Sequence, residues 1–238
     1  MMQKQRPLSS VGLWWRWVLA TIVGALIGNI FGIAICLAGV HYLSDRLVNL
    51  NLCVDGLGSL NCAVTVGIVG GALSVGSFVG LLQHLVLRRF VKASAWWILV
   101  SSFGWTWVGF AATSLAYTPQ FGFVLNADGS FTESNIVDRI PQLAVNSLWL
   151  VAAGLLLGLL QYLVLWNGVE RKSPKWQLIL WVLVNVVLIA FMAIAILAFF
   201  RGKGSLYGIF WFFMEFTPFY ATITGATLAK MKLSTSQK

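Results

Sequence analysis

Apolar residues dominate six stretches of about 24 residues, separated by segments rich in charge, proline and turn residues. We place these stretches at Trp17–Val40, Val64–Leu87, Ser94–Tyr117, Pro141–Leu165, Trp176–Phe200 and Leu206–Ala229. A helix needs roughly 20 apolar residues to cross a hydrocarbon core, so each stretch is long enough. None alternates apolar with polar residues as a barrel strand does. The pattern predicts six transmembrane helices.

The stretches repeat. Gly80-Leu-Leu-Gln-His-Leu-Val-Leu-Arg88 returns at Gly158-Leu-Leu-Gln-Tyr-Leu-Val-Leu-Trp166, with seven of nine residues identical. A second motif opens the odd-numbered spans at Trp17-Val-Leu, Trp97-Ile-Leu and Trp181-Val-Leu, in steps of 80 and 84 residues. The predicted fold class is therefore all-α integral membrane. Six helices form three αα-hairpin repeats, approximately 12–90, 91–170 and 171–232, within one domain spanning residues 1–238. Because every hairpin has the same orientation, a pseudo-threefold axis along the membrane normal is expected.

Composition agrees with lipid as the solvent: 59% of residues are hydrophobic, 10% are charged, and mean hydropathy is +0.84. The first span is too long for a signal-peptide core and is equated with later spans by the repeat, so it is read as retained. The net charge of +9 suggests nucleic acid until the charges are mapped. Twelve of the 16 basic residues fall on one side of a six-span topology: the N-terminus, residues 88–92 and 171–175, and the C-terminus. Arg46, Arg139, Arg201 and Lys203 fall opposite. This is the positive-inside pattern, with both termini cytoplasmic and no nucleic-acid partner. Trp14, Trp15, Trp17, Trp96, Trp97, Trp176 and Trp181 cluster at that side and read as an interfacial aromatic belt.

Small residues recur at four-residue spacing: Gly24, Gly28 and Gly32; Gly76 and Gly80; Gly154 and Gly158; and Gly225 between Ala221 and Ala229. Such stripes let helix backbones approach closely, so a compact bundle is expected. Gln83 and Gln161 hold equivalent places in spans 2 and 4 and read as an interhelical polar clasp. Glu215 is the carboxylate inside a predicted span, with Pro218 three residues on. It is expected to face the bundle interior, with Asn29 and Asn185 as partners in a candidate intramembrane ligand or proton site. The structural reading of the same Glu is a hydrogen bond to one of those asparagines or to a carbonyl.

Cys53 and Cys62 share the first non-cytoplasmic loop, taken as His41–Ala63, and form a candidate disulfide. In that loop, residues 43–52 fit a short interfacial helix, and Asn126-Ala-Asp-Gly-Ser130 in the second carries turn chemistry. Two thiols are too few for a metal site, and no metal is expected. His41 and His84 lie near opposite faces, so paired-histidine ligation is not expected, while a single axial ligand to a pigment stays open. No Gly-x-Ser-x-Gly, His-Glu-x-x-His or phosphate-binding loop occurs, and no catalytic residue is assigned.

Gly80, Gln83, Val86, Leu87, Arg88, Trp96 and Trp97, with Gly158, Gln161, Val164 and Leu165, carry a resemblance. The chain resembles uncharacterised multi-pass membrane proteins common in cyanobacteria, which repeat Gly-x-x-Gln-x-x-Val-Leu-Arg before a Trp-Trp helix. Trp166 replaces the Arg in the second copy. The resemblance implies a plasma- or thylakoid-membrane setting and no defined activity. The expected function is a non-enzymatic scaffold, assembly or pigment-associated subunit of a membrane complex. Lipids and other membrane proteins are the expected partners, and lipid, carotenoid or chlorophyll the candidate ligands. The alternative is a small proton- or ion-coupled transporter using Glu215.

Overall fold

The computed structural model of the protein describes residues 9–38, 57–88, 90–91, 94–117, 123–125, 131–133, 136–166, 176–199 and 206–231. They form helices α1 (Ser10–Ala38), α2 (Leu57–Leu87), α3 (Trp96–Tyr117), α4 (Ile136–Trp166), α5 (Trp176–Phe199) and α6 (Leu206–Lys230). Between α3 and α4, strands β1 (Phe123–Leu125) and β2 (Phe131–Glu133) pair antiparallel, Leu125 opposite Phe131. This short ladder brackets residues 126–130, which lie outside the described residues, as do residues 43–52.

Among the described residues, four helices are long and apolar enough to cross a membrane, over Ser10–Ile35, Val69–Leu87, Leu143–Trp166 and Trp176–Ile196. Three helices start earlier than the apolar pattern indicates. Ser9 caps α1: the Gly12 N–H donates to Ser9 Oγ at 3.1 Å and the Leu13 N–H to the Ser9 carbonyl at 3.0 Å. That carries the helix seven residues before Trp17. α2 begins at Leu57, so Cys62 belongs to a helix and not to the loop expected from the sequence. Cys53 and the Cys62 side chain lie outside the described residues. α4 begins five residues before Pro141, which stands in its second turn and forfeits one intrahelical hydrogen bond there.

Each helix packs on the next in the chain, and α6 returns against α1, closing a ring. α2 and α3 are joined tightly. The Leu87 carbonyl accepts from the N–H groups of Phe90 and Val91 at 2.8 and 2.9 Å. We call the end holding residues 10 and 230 proximal and the other end distal.

Glycine sets the closeness of these contacts. A Cβ on Gly28 would lie 2.5 Å from the Val75 Cα, so α1 and α2 touch backbone to backbone. Gly24 meets Val79 and Gly32 meets Gly71 on the same seam. Gly76 and Gly80 face α3, Gly154 and Gly158 face α5, and Gly225 faces Trp14, Trp17 and Val18 of α1. Gly80 approaches Ile98, Gly158 approaches Val182, and Gly225 approaches Val18. Each of those three partners directly follows a motif tryptophan, Trp97, Trp181 or Trp17.

Two buried clusters fill the ring. The proximal one gathers residues from all six helices around Trp17, Trp97 and Trp181. The distal one joins α3, α4, α5 and α6 around Trp105, Leu157, Met192 and Tyr220. The outside is apolar, aliphatic and aromatic side chains alike: Ile30, Leu148, Val187 and Ile194 are 64–69% exposed, and Trp96 and Trp149 about as much. So much contiguous apolar surface suits a chain bathed in hydrocarbon, not water.

Candidate functional site

The three motif tryptophans converge on the middle of the bundle. Trp17 and Trp97 have ring centroids 5.6 Å apart, Trp17 and Trp181 5.8 Å, and Trp97 and Trp181 6.0 Å. All three pairs meet edge to face, at 74°, 81° and 64°. That geometry puts the positive ring edge against the negative face of its neighbour, worth about 0.5–1.5 kcal/mol per pair beyond area burial. All three side chains are 0% exposed. This corrects the reading of these residues as an interfacial belt. Trp15, Trp96 and Trp176, their neighbours in sequence, do lie on the outside.

Around the indoles runs a closed set of hydrogen bonds, one at each seam between neighbouring helices. Trp97 Nε1 donates to Gln83 Oε1 at 2.8 Å, and Gln83 Nε2 donates to Thr21 Oγ1 at 2.8 Å. Gln83 thereby joins α1, α2 and α3. Trp181 Nε1 donates to Gln161 Oε1 at 3.2 Å, and Gln161 Nε2 to Ser101 Oγ at 3.3 Å, joining α3, α4 and α5. α6 has Leu228 where a third glutamine would stand, and closes the ring differently. Tyr220 Oη donates to Asn185 Oδ1 at 2.6 Å, and Trp17 Nε1 donates to Thr224 Oγ1 at 3.2 Å.

The acceptor side chains are placed by their own helices. Thr21, Ser101 and Asn185 each stand four residues after a motif tryptophan, hence on the same helix face. Thr21 Oγ1 donates back to the Trp17 carbonyl at 2.9 Å, and Asn185 Nδ2 to the Trp181 carbonyl at 2.9 Å. Thr224 Oγ1 donates to the Tyr220 carbonyl at 2.8 Å. The Thr21 and Thr224 hydroxyls therefore each accept from a neighbouring helix while donating within their own. Nothing in this set carries a charge. It contains hydrogen-bonding groups matched to one another, and its chemical work is to hold six helices in register.

No known protein family, curated protein or solved structure matches the chain.

Glu215 is not where the sequence placed it. It is exposed on the outer face of α6, with Pro218 and Phe219. The rotational phase of α6 is set instead by Phe216, Tyr220 and Thr224, which follow one another at four-residue spacing and are all buried. Glu215 lies about 100° around the helix from Phe216 and is carried outside. Asn29 and Asn185 do not meet it. Asn185 is bonded to Tyr220 on the inner face of α6, and Asn29 Nδ2 donates to the Ala25 carbonyl of its own helix at 2.8 Å. Among the described residues no group of three metal-ligating side chains occurs.

Two buried nitrogens lack hydrogen-bond partners among the described residues: His84 Nδ1 and Trp105 Nε1. The Trp105 ring packs edge to face on Tyr220 at 5.1 Å, which ties the distal cluster to the polar ring. The sequence reading missed Thr21, Ser101, Tyr220 and Thr224 as members of the ring. For Thr21 and Ser101 the available signal was the polar residue four positions after each repeated tryptophan; Tyr220 and Thr224 follow no such tryptophan.

Proposed function

We propose that the protein is a non-enzymatic, multi-pass membrane scaffold, acting as an assembly or lipophilic-ligand-associated subunit of a larger complex. The observation that carries this reading is the plugged middle of the bundle. Three indoles in mutual contact fill the space where a conducting route would run, and the polar groups around them are spent on helix seams. The ion-coupled alternative required Glu215 beside an internal aqueous path, and that side chain lies on the outer face.

In this reading the helices cross the membrane six times as three hairpin repeats about a pseudo-threefold axis along the membrane normal. Repeat-equivalent contacts support it: Gly80 with Ile98, Gly158 with Val182, Gly225 with Val18, and the Trp–Gln pairs of α2–α3 and α4–α5. Both termini face the cytoplasm, as the 12-to-4 division of basic residues requires. A plasma or thylakoid membrane is the setting, in keeping with the cyanobacterial resemblance, and lipid, carotenoid or chlorophyll are the ligands to seek.

Two measurements test the proposal. The first uses cysteine placed at Ala112 and Met192, both 0% exposed, in a chain whose own three cysteines are alanine. A small water-soluble thiol reagent should leave both unmodified in reconstituted vesicles until the protein is denatured. Rapid modification of either would reveal an aqueous route and return the carrier reading. The second uses an impermeant reagent on intact cells. Cysteine at position 130 should label from outside, and cysteine at positions 90 or 172 should not; labelling at position 90 would invert the topology.

A further inference from the structure

α5 and α6 leave between them an outward-facing groove of about 310 Å³, lined by Leu180, Leu183, Val187 and Phe191 on one side and Phe219 and Ile223 on the other. Leu180 and Phe191 stand eleven positions apart, about 16 Å of helix. Every lining residue is apolar. On α6 the row Phe219 and Ile223 continues at the same four-residue spacing to Glu215, one turn further toward the distal end. An exposed carboxylate therefore stands at the end of an apolar trough. Among the described residues nothing hydrogen-bonds or ion-pairs with it.

Glu215 lies nine residues, about 13 Å, from the distal start of α6 and fifteen, about 22 Å, from Lys230. A carboxylate at such depth is costly facing acyl chains and is ordinarily met by another polar or charged group. Among the described residues this chain does not supply that group. It has no lysine or arginine in residues 17–40, 64–87, 94–117, 141–165, 176–200 or 206–229, so a second copy brings no cation to that level either. A free amphiphile keeps its headgroup at the interface. A transmembrane helix can hold a basic side chain at mid-depth.

We propose that the α5–α6 groove docks a transmembrane helix of a partner protein, whose lysine or arginine pairs with Glu215 while its apolar side chains fill the groove. The shape suits this occupant, since two antiparallel helices present a furrow into which the side-chain ridge of a third packs. The carboxylate sets the register and selects the partner, because an uncharged helix would leave it unmet. This proposal rests on the scaffold reading and names the class of partner that reading calls for.

The test uses the full chain with a donor dye near its C-terminus, in phosphatidylcholine vesicles. The probes are acceptor-labelled polyleucine transmembrane peptides with either one central lysine or leucine throughout. Energy transfer should show at least tenfold tighter association of the lysine peptide. Glu215→Gln, on the outer surface and outside the ring, should abolish that preference. Val187→Trp, which fills the groove, should weaken the lysine peptide severalfold with Glu215 intact. Equal association of the two peptides overturns the proposal, as does a preference that survives Glu215→Gln or is untouched by Val187→Trp. Full displacement of the peptide by octadecylamine would make the groove an amphiphile site. Self-association of the labelled chain abolished by Glu215→Gln would make it a contact between copies. Either result refutes the helix proposal. Should it fail while Ala112 and Met192 stay closed to water, the scaffold reading stands without this surface.

Discussion

Trp97→Ala should cost the protein about 3–5 kcal/mol from the lost packing of a fully buried tryptophan, with a further penalty from the hydrogen bond that goes with it. Removing the indole breaks two of the three ring contacts at the bundle middle and leaves Gln83 Oε1 without its donor. A buried acceptor so abandoned typically costs about 1–3 kcal/mol. The cavity cannot collapse easily, because the helices around it are held at fixed separation by glycine contacts. The expected readout is loss of the monodisperse detergent-solubilised species at a temperature well below that of the parent, followed by size-exclusion chromatography after heating. Trp97→Phe retains a ring and should lie between the two. The polar part separates in a double-mutant cycle with Gln83→Leu. Trp97→Phe and Gln83→Leu together should cost clearly less than the sum of the single changes, since each alone orphans the other partner. Strict additivity would show that the 2.8 Å bond between them contributes nothing.

How far the molecule could be read in advance follows from which interactions leave a trace in sequence. The helices did. Each predicted span lies within about seven residues of an observed helix boundary, because length and apolarity in hydrocarbon are set by the bilayer. Gln83 and Gln161 were legible as polar residues recurring on matched segments, and the structure seats both between three helices. The inner face of each helix was not legible. In water, apolarity marks the inside; here both faces are apolar and carry no such mark. Trp17 and Trp15 look alike in sequence, yet one is 0% and the other 52% exposed. The same ambiguity misplaced Glu215. Rejection of charge by lipid predicts that a lone acid points inward, whereas the phase of α6 is governed by Phe216, Tyr220 and Thr224 packing inward together. The better guide was the recurrence of a polar residue four positions after each repeated tryptophan, which identifies one face on α1, α3 and α5 without reference to hydropathy.

Gly28→Ala should be nearly as damaging as loss of a core tryptophan, although it adds one methyl group. The new Cβ would fall 2.5 Å from the Val75 Cα and 3.1 Å from the Val75 nitrogen. Both are backbone atoms that no rotamer change can move, so α1 and α2 must separate along the seam that Gly24 and Gly32 also hold closed. Separation forfeits dispersion contacts along both helices, and in a membrane no hydrophobic force between them compensates. Overpacking a tight site costs about 1–3 kcal/mol, and this one belongs at or beyond the upper end. Gly225→Ala is the informative contrast. Its Cβ would meet side-chain atoms, Cδ1 of Trp17 at 3.0 Å and of Trp14 at 3.1 Å; Trp14 is half-buried and can shift, while Trp17, held between the other two indoles, must give by a few tenths of an ångström. Heating in mild detergent should therefore rank Gly28→Ala below Gly225→Ala, with Gly225→Ala between it and the parent. Equal loss in both would mean that the α1–α6 seam is as rigid as the backbone contact between α1 and α2. The ring of helices would then be closed by side chains just as unyielding.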